Sequence, residues 1–145
     1  MSASRIDAVI VAHAMGAPRD AAAQERQAES YRQLLGYLPP RVEARLQVTG
    51  ALDPTLVEMQ EQIRAHAMNP PCFDAKTAQL MIFGMLMAEL SDAAVIHGIA
   101  ARRAGATWEE LQAVVSMAYL FRGVSAANRG ADVLARIAER EAQAS

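Results

Sequence analysis

Apolar residues recur along most of the chain at intervals of three and four, the spacing of one face of an α-helix. The clearest example lies within residues 74–111, where this face carries Leu80, Phe83, Met87, Leu90, Ala94 and His97. The positions fit one helix, or two helices joined in near register. No stretch alternates with period two over a useful length, so the pattern predicts an all-α fold.

Residues that begin and end helices divide the chain into about six or seven predicted helices. Predicted N-caps are Asp20, Asp53 and Asp74, and Thr107 with Glu110 has the spacing of a capping box. Predicted C-terminal stops are Gly16, Gly36, Gly50, Gly105 and Gly123. The predicted helices occupy residues 4–15, 20–36, 41–48, 54–68, 74–104, 107–121 and 124–141.

Composition favours one globular domain over residues 1–145. The chain is 52% hydrophobic, which is enough for a core, and it has a formal net charge of -2. That charge and an aromatic content of 5% argue against nucleic acid or an anionic membrane as partner. The longest apolar run, 80–90, is much shorter than the roughly 20 residues of a membrane span.

The cysteine and histidine residues bear on two kinds of site, disulfides and metal centres. Cys72 is the only cysteine, so an internal disulfide is excluded and no oxidising compartment is implied. His13 and His66 are isolated in the sequence and lack metal-ligand spacing, so we predict no metal. The N-terminus lacks the basic start of a secretion signal, and we expect a cytoplasmic protein.

His97 is the strongest catalytic candidate. Its imidazole can donate or accept a proton near neutral pH, and an apolar stripe would exclude water from it. The alternative is a core histidine satisfied by a backbone carbonyl.

Glu89 is the candidate partner of His97. It lies eight residues earlier, and on a continuous helix the two side chains would share one side, which predicts an acid–base pair. The alternative for Glu89 is an exposed residue paired with an arginine, and a helix break near Ser91 would weaken the pairing.

Arg122 and Tyr119 are candidates for substrate binding. Arg122 precedes the predicted stop at Gly123 and can bind a substrate carboxylate through two parallel hydrogen bonds. Tyr119, one helical turn earlier, can line the same pocket. The alternatives are compensation of the helix dipole by Arg122 and simple packing by Tyr119.

Two segments, residues 97–111 and 118–128, carry a family resemblance. The first has a histidine, an alanine-rich helix end, Gly105-Ala106-Thr107 and an acidic helix start; the second is an apolar helix that ends at Gly123 before small residues. Together with the run from Leu80, they resemble the carboxymuconolactone decarboxylase family, which includes the AhpD-like alkylhydroperoxidases. The resemblance covers about residues 50–135. It implies an AhpD-like helical bundle and a homo-oligomer, commonly a trimer or hexamer, with sites near subunit contacts.

The cysteine pair of the peroxidase branch is absent, because Leu90 and Ala93 stand at its positions. Neither side chain can attack a peroxide or resolve a sulfenic acid. The chain therefore resembles the decarboxylase-like branch, which implies a reaction without metal or organic cofactor. That branch often has an acidic residue near the start of the central helix. Here the nearest position holds the neutral Gln79, and Glu89 or Asp92 would have to substitute for it.

Three hypotheses follow for function. The first is a cofactor-independent lyase, or an isomerase, that acts on a small carboxylated or lactone-like metabolite through His97, with Glu89 as its partner and Arg122 and Tyr119 binding the substrate. The second, which the missing cysteine pair disfavours, is an alkylhydroperoxidase that uses Cys72 alone. The third is a non-catalytic oligomeric binding protein with the same fold.

Overall fold

A computed structural model describes residues 6–145, and over this range the chain forms eight α-helices and no strand. The helices are α1 (Ala8–Met15), α2 (Ala21–Leu35), α3 (Pro40–Leu52), α4 (Pro54–Met68), α5 (Ala75–Ala88), α6 (Ala94–Arg103), α7 (Trp108–Arg122) and α8 (Val124–Ala144). The predicted all-α class is confirmed. The predicted count of six or seven helices is too low, because the central run 74–104 forms two helices.

Aspartate side chains cap the N-termini of α1, α2 and α4, whereas α3 begins at prolines without a side-chain cap. Asp7 accepts hydrogen bonds from the backbone N–H groups of Val9 and Ile10, at 3.0 and 3.1 Å. Asp20 and Asp53 cap α2 and α4 in the same way. The predicted helix start at Ser4 lies outside the described residues. The predicted stop at Gly50 is wrong, because Gly50 is buried inside α3 and that helix continues to Leu52.

The helices form two compact units, which divide between Ala67 and Met68. The first unit contains α1 to α3 and nearly all of α4, and the second contains α5 to α8. The single domain over residues 1–145 stays a prediction. The core of the first unit includes a cluster of Ala28, Leu46 and Val57, with Leu38 and Val42 packed against it.

A polar network crosses the interior of the first unit. Glu61 is 8% exposed and accepts hydrogen bonds from Tyr31 at 2.9 Å, from Arg64 at 2.9 Å and from Arg45. Arg64 also stacks on the Tyr31 ring, 3.9 Å from its centroid. Burial raises the pKa of Glu61, but Arg45, Arg64 and Tyr31 lower it by more, so the net pKa lies below the usual value. Burial is also the main reason that the pKa of Tyr31 is raised.

Close helix packing forms the core of the second unit. The glycines of α6 and α8 leave room for neighbouring side chains: a Cβ on Gly98 would lie 2.3 Å from Ile137 Cδ1, and one on Gly130 would lie 2.2 Å from Val115 Cγ1. The largest fully buried side chains here are those of Phe83, Met87, Leu111, Val133 and Ile137. The Thr107–Glu110 capping box that begins α7 is present as predicted.

The break in the central run follows from a C-terminal cap on α5. The N–H of Ser91 donates to the carbonyl of Leu86 at 2.9 Å, and the N–H of Leu90 donates to that of Met87 at 3.1 Å. These two bonds form a Schellman motif, with Leu90 in the left-handed position at φ 54°. Residues 89–93 then connect α5 to α6, so the apolar stripe passes from one helix to the next.

No helix within the described part of the chain has both the length and the apolar character needed to cross a membrane.

Candidate active site

His97 and Gln79 form a direct contact between α6 and α5. The distance from His97 Nδ1 to Gln79 Oε1 is 2.9 Å. The His97 side chain is half-buried, whereas Gln79 is 4% exposed and lies in the interior face of α5. Since α5 and α6 form the most extensive helix pairing in the second unit, residues 18 apart in sequence are brought together.

Two local features set the position of this pair. Asp74 accepts a hydrogen bond from the N–H of Thr77 at 2.7 Å and so begins α5 one turn before Gln79. Phe83, one turn after Gln79, is fully buried, and the Cβ position of Gly98 lies 3.4 Å from its ring. The absence of a side chain at Gly98 therefore allows α6 to approach α5 beside His97.

Glu89, the predicted acid–base partner of His97, lies elsewhere in the fold. It is the C-cap residue of α5 and is exposed, and the Schellman motif separates it from the helix that carries His97. The two residues therefore do not share one helix face, as a continuous helix would require. Asp92, the other carboxylate considered, is exposed and pairs with Arg129 at 2.7 Å and with Arg136 at 3.7 Å.

Tyr119 and Arg122 both lie on the exposed side of α7 near its C-terminus. Tyr119 lines a groove of about 180 Å³ along α7 and α8, together with Gln112, Val115, Ser116 and Ala127. Arg122, His97 and Gln79 do not line this groove. The structure thus places the two predicted substrate-binding residues on one helix end, and of the two only Tyr119 lines this groove.

Cys72 carries the only thiol group in the chain. This cysteine is exposed in the segment between α4 and α5. Leu90 and Ala93, at the positions of the peroxidase cysteines, lie in the connection between α5 and α6. Among residues 6–145, no group of three or more His, Cys, Asp and Glu side chains is arranged to hold a metal ion.

Gln79 is the residue whose importance sequence reasoning understated. The sequence shows Gln79 only as a neutral residue near the position of a family carboxylate, and it does not predict the contact with His97. One feature of the sequence does indicate such a contact. Gln79 is a polar residue on the apolar face of α5, and a buried polar side chain needs a hydrogen-bond partner.

Comparison with known proteins supports the family resemblance. The sequence model of the carboxymuconolactone decarboxylase family matches residues 54–136, which is more than half of the chain. Searches of curated proteins and of solved structures gave no significant match. The match begins in α4 and ends in α8, and it includes the His97–Gln79 pair. This chain, with histidine and glutamine at its candidate site, belongs to the carboxymuconolactone decarboxylase family.

Proposed function

We propose that this protein is a cofactor-independent enzyme of the decarboxylase-like branch, in which His97 transfers a proton to or from a small carboxylated or lactone-like metabolite. The reaction is a decarboxylation, an isomerisation or an elimination, because each of these requires proton transfer at carbon in a site with little water.

The contact between His97 and Gln79 is the observation that carries the proposal. A half-buried imidazole that is fixed by a buried hydrogen-bond partner has a defined orientation, as an acid or base catalyst requires. The residues at the cysteine positions support the same branch, since neither Leu90 nor Ala93 can carry out thiol chemistry. Gln79 replaces Glu89 as the proposed partner of His97, because Glu89 lies beyond the end of α5.

Arg122 and Tyr119 retain a proposed role in substrate binding. The Arg122 guanidinium is exposed and can pair with a carboxylate, and the Tyr119 hydroxyl borders the groove along α7 and α8.

Turnover of carboxymuconolactone, followed by ultraviolet absorbance, tests the proposal. We expect His97→Ala to lower kcat/KM by about 10²- to 10⁴-fold, the usual contribution of a general acid or base. His66→Ala is the matched control, because His66 is exposed on α4 and belongs to no proposed site. A wild-type rate no higher than that of His97→Ala would reject the assignment.

We further propose that the protein is a homo-oligomer that associates through the end of α7. Three large apolar side chains there are exposed at helical spacing, Met117 by 57%, Leu120 by 76% and Phe121 by 83%, and Val124 at the start of α8 is exposed by 63%. The opposite face of α7 is already buried in the second unit. A helix that is apolar on two faces is normally covered on both, and the family resemblance makes a second copy the expected partner.

A further inference from the structure

We propose that Gln79 is a positioning residue that holds the neutral ring of His97 in its Nδ1–H tautomer, which makes Nε2 the atom that exchanges protons with substrate. The part of this inference that concerns substrate rests on the function proposed above. The part that concerns the ring rests on the contact between the two side chains alone.

The hydrogen-bonding chemistry of the two groups decides the tautomer. Gln79 presents its amide oxygen to His97 Nδ1 at 2.9 Å, and an amide oxygen can only accept a hydrogen bond. His97 Nδ1 must therefore donate, and so it must carry a hydrogen. A neutral imidazole has one N–H, so the lone pair of the neutral ring lies on Nε2.

Burial makes Gln79 an effective restraint. Its side chain is 4% exposed, and Ala78 and Phe83 of the same helix are buried as well. A buried amide oxygen that loses its donor is left unsatisfied, which costs free energy. The ring orientation that keeps Nδ1–H on Gln79 Oε1 is therefore favoured over a flipped ring.

The neutrality of Gln79 affects the order of proton transfers. A carboxylate at this position would stabilise the imidazolium by its charge, whereas an amide supplies a hydrogen bond without charge. A neutral ring whose lone pair lies on Nε2 can begin the reaction as a base. In a β,γ-unsaturated carbonyl compound, the Nε2 lone pair takes a proton from the α-carbon and the C–H electron pair moves into the carbonyl to form a dienolate. Nε2–H then returns the proton to the γ-carbon, the carbonyl re-forms and the double bond shifts to the α,β-position. This order favours isomerisation of a carbonyl compound with an acidic C–H bond.

Nuclear magnetic resonance of the ring nitrogens tests the tautomer without any substrate. The ¹⁵N-labelled full chain is measured at about pH 8, where a histidine of ordinary pKa is neutral. We expect a pyrrole-type Nδ1 and a pyridine-type Nε2 for His97, with the exposed His13 and His66 as internal references. A pyridine-type Nδ1 in the wild-type protein would overturn the proposal.

Two substitutions test whether Gln79 is responsible. Gln79→Met keeps a similar volume and removes the acceptor, and we expect the ratio of Nδ1–H to Nε2–H tautomer to fall about tenfold. Gln79→Glu keeps an acceptor and adds a charge, and we expect the titration midpoint of the ring to rise by about one pH unit. Gln143→Met, at an exposed position on α8, is the matched control and should change neither property.

The outcomes separate this inference from the proposed function. An unchanged tautomer in Gln79→Met or an unchanged midpoint in Gln79→Glu refutes the role of Gln79, even where the enzyme is active. The protein could instead give the expected spectra and yet turn over no lactone. The spectra would then support the positioning of the ring by Gln79, and the missing turnover would count against the enzyme assignment only.

Discussion

At the scale of single residues, two buried polar side chains have different kinds of partner. Glu61 is a buried carboxylate that receives hydrogen bonds from Tyr31, Arg45 and Arg64. Gln79 is a buried amide that meets one imidazole. Within the described residues, no buried side-chain nitrogen or oxygen lacks a hydrogen-bond partner. The first arrangement keeps a charge stable inside the protein, and the second fixes the orientation of an imidazole ring.

Glu61 makes the stability of the protein depend on acid. Its pKa in the folded protein is lowered, so its stabilising contribution is fully present above the unfolded-state value of about 4.3 and is lost as the pH falls through the folded-state value. We expect Glu61→Gln to lower the free energy of unfolding by about 1–3 kcal/mol at pH 7. The difference from wild type should shrink below about pH 4.

Urea denaturation across this pH range measures the effect of Glu61. Glu58→Gln is the control, because Glu58 is an exposed carboxylate on the same helix. A difference between wild type and Glu61→Gln that stays constant from pH 7 to pH 3 would contradict the explanation.

At the scale of helices, α5 and α6 end in C-terminal caps with the same pattern of hydrogen bonds, but the sequence predicts only the cap of α6 clearly. The cap after α6 has a glycine, Gly105, in the left-handed position at φ 98°, and the sequence indicated this stop. The cap after α5 has Leu90 in that position, at φ 54°. A leucine on an apolar stripe favours continuation of the helix, so the break was not predicted as a definite boundary.

Substitution at Leu90 separates backbone strain from side-chain burial. Glycine and alanine both remove the half-buried leucine side chain, but only glycine adopts a positive φ without strain. We expect Leu90→Gly to be more stable than Leu90→Ala by about 1 kcal/mol, as measured by urea denaturation. Equal stability of the two variants, or a more stable alanine variant, would contradict the left-handed conformation.

The contact between α7 and α8 depends on the missing side chain of Gly130. Its Cβ position lies within 3.1 Å of three atoms of the buried Val115, whose branched side chain cannot swing away. We expect Gly130→Ala to lower the free energy of unfolding by about 1–3 kcal/mol.

Gly50→Ala is the matched control, because Gly50 also lies inside a helix and its added Cβ would meet Pro18 at an ordinary 3.4 Å. There we expect a gain of about 0.5–1 kcal/mol from helix propensity. Thermal denaturation should show opposite signs for the two alanine variants, and a stabilised Gly130→Ala would contradict the close packing.

At the scale of the whole molecule, the exposed apolar face of α7 leads to a prediction about assembly. The wild-type protein should have a mass in solution several times the 15.6 kDa of one chain. We expect Phe121→Glu to shift the mass toward that of one chain, because a charge would be buried without a partner at the proposed contact. Size-exclusion chromatography with light scattering measures both values.

Val9→Glu is the control for assembly, since Val9 is 79% exposed on α1, a helix of the first unit that has no part in the proposed contact. Its mass should equal that of the wild type. A wild-type protein that is a single chain, or a Phe121→Glu variant with unchanged mass, would contradict association through α7.

The sequence by itself determined the all-α class, most helix starts and the family. Caps such as Asp20, Asp74 and Thr107 act through hydrogen bonds to a residue three positions away, so their effect can be inferred from local sequence. The residues at positions 90 and 93 likewise exclude the paired-thiol chemistry without any structure.

Only the tertiary structure decided which residue contacts His97. Spacing along a continuous helix favoured Glu89, but the cap at Leu90 ends α5 and turns the chain, so that α6 packs against α5 and brings Gln79 to the ring. A contact across 18 residues depends on where one helix stops and how the next packs against it. Local periodicity does not contain that information, because the same apolar stripe fits one helix or two.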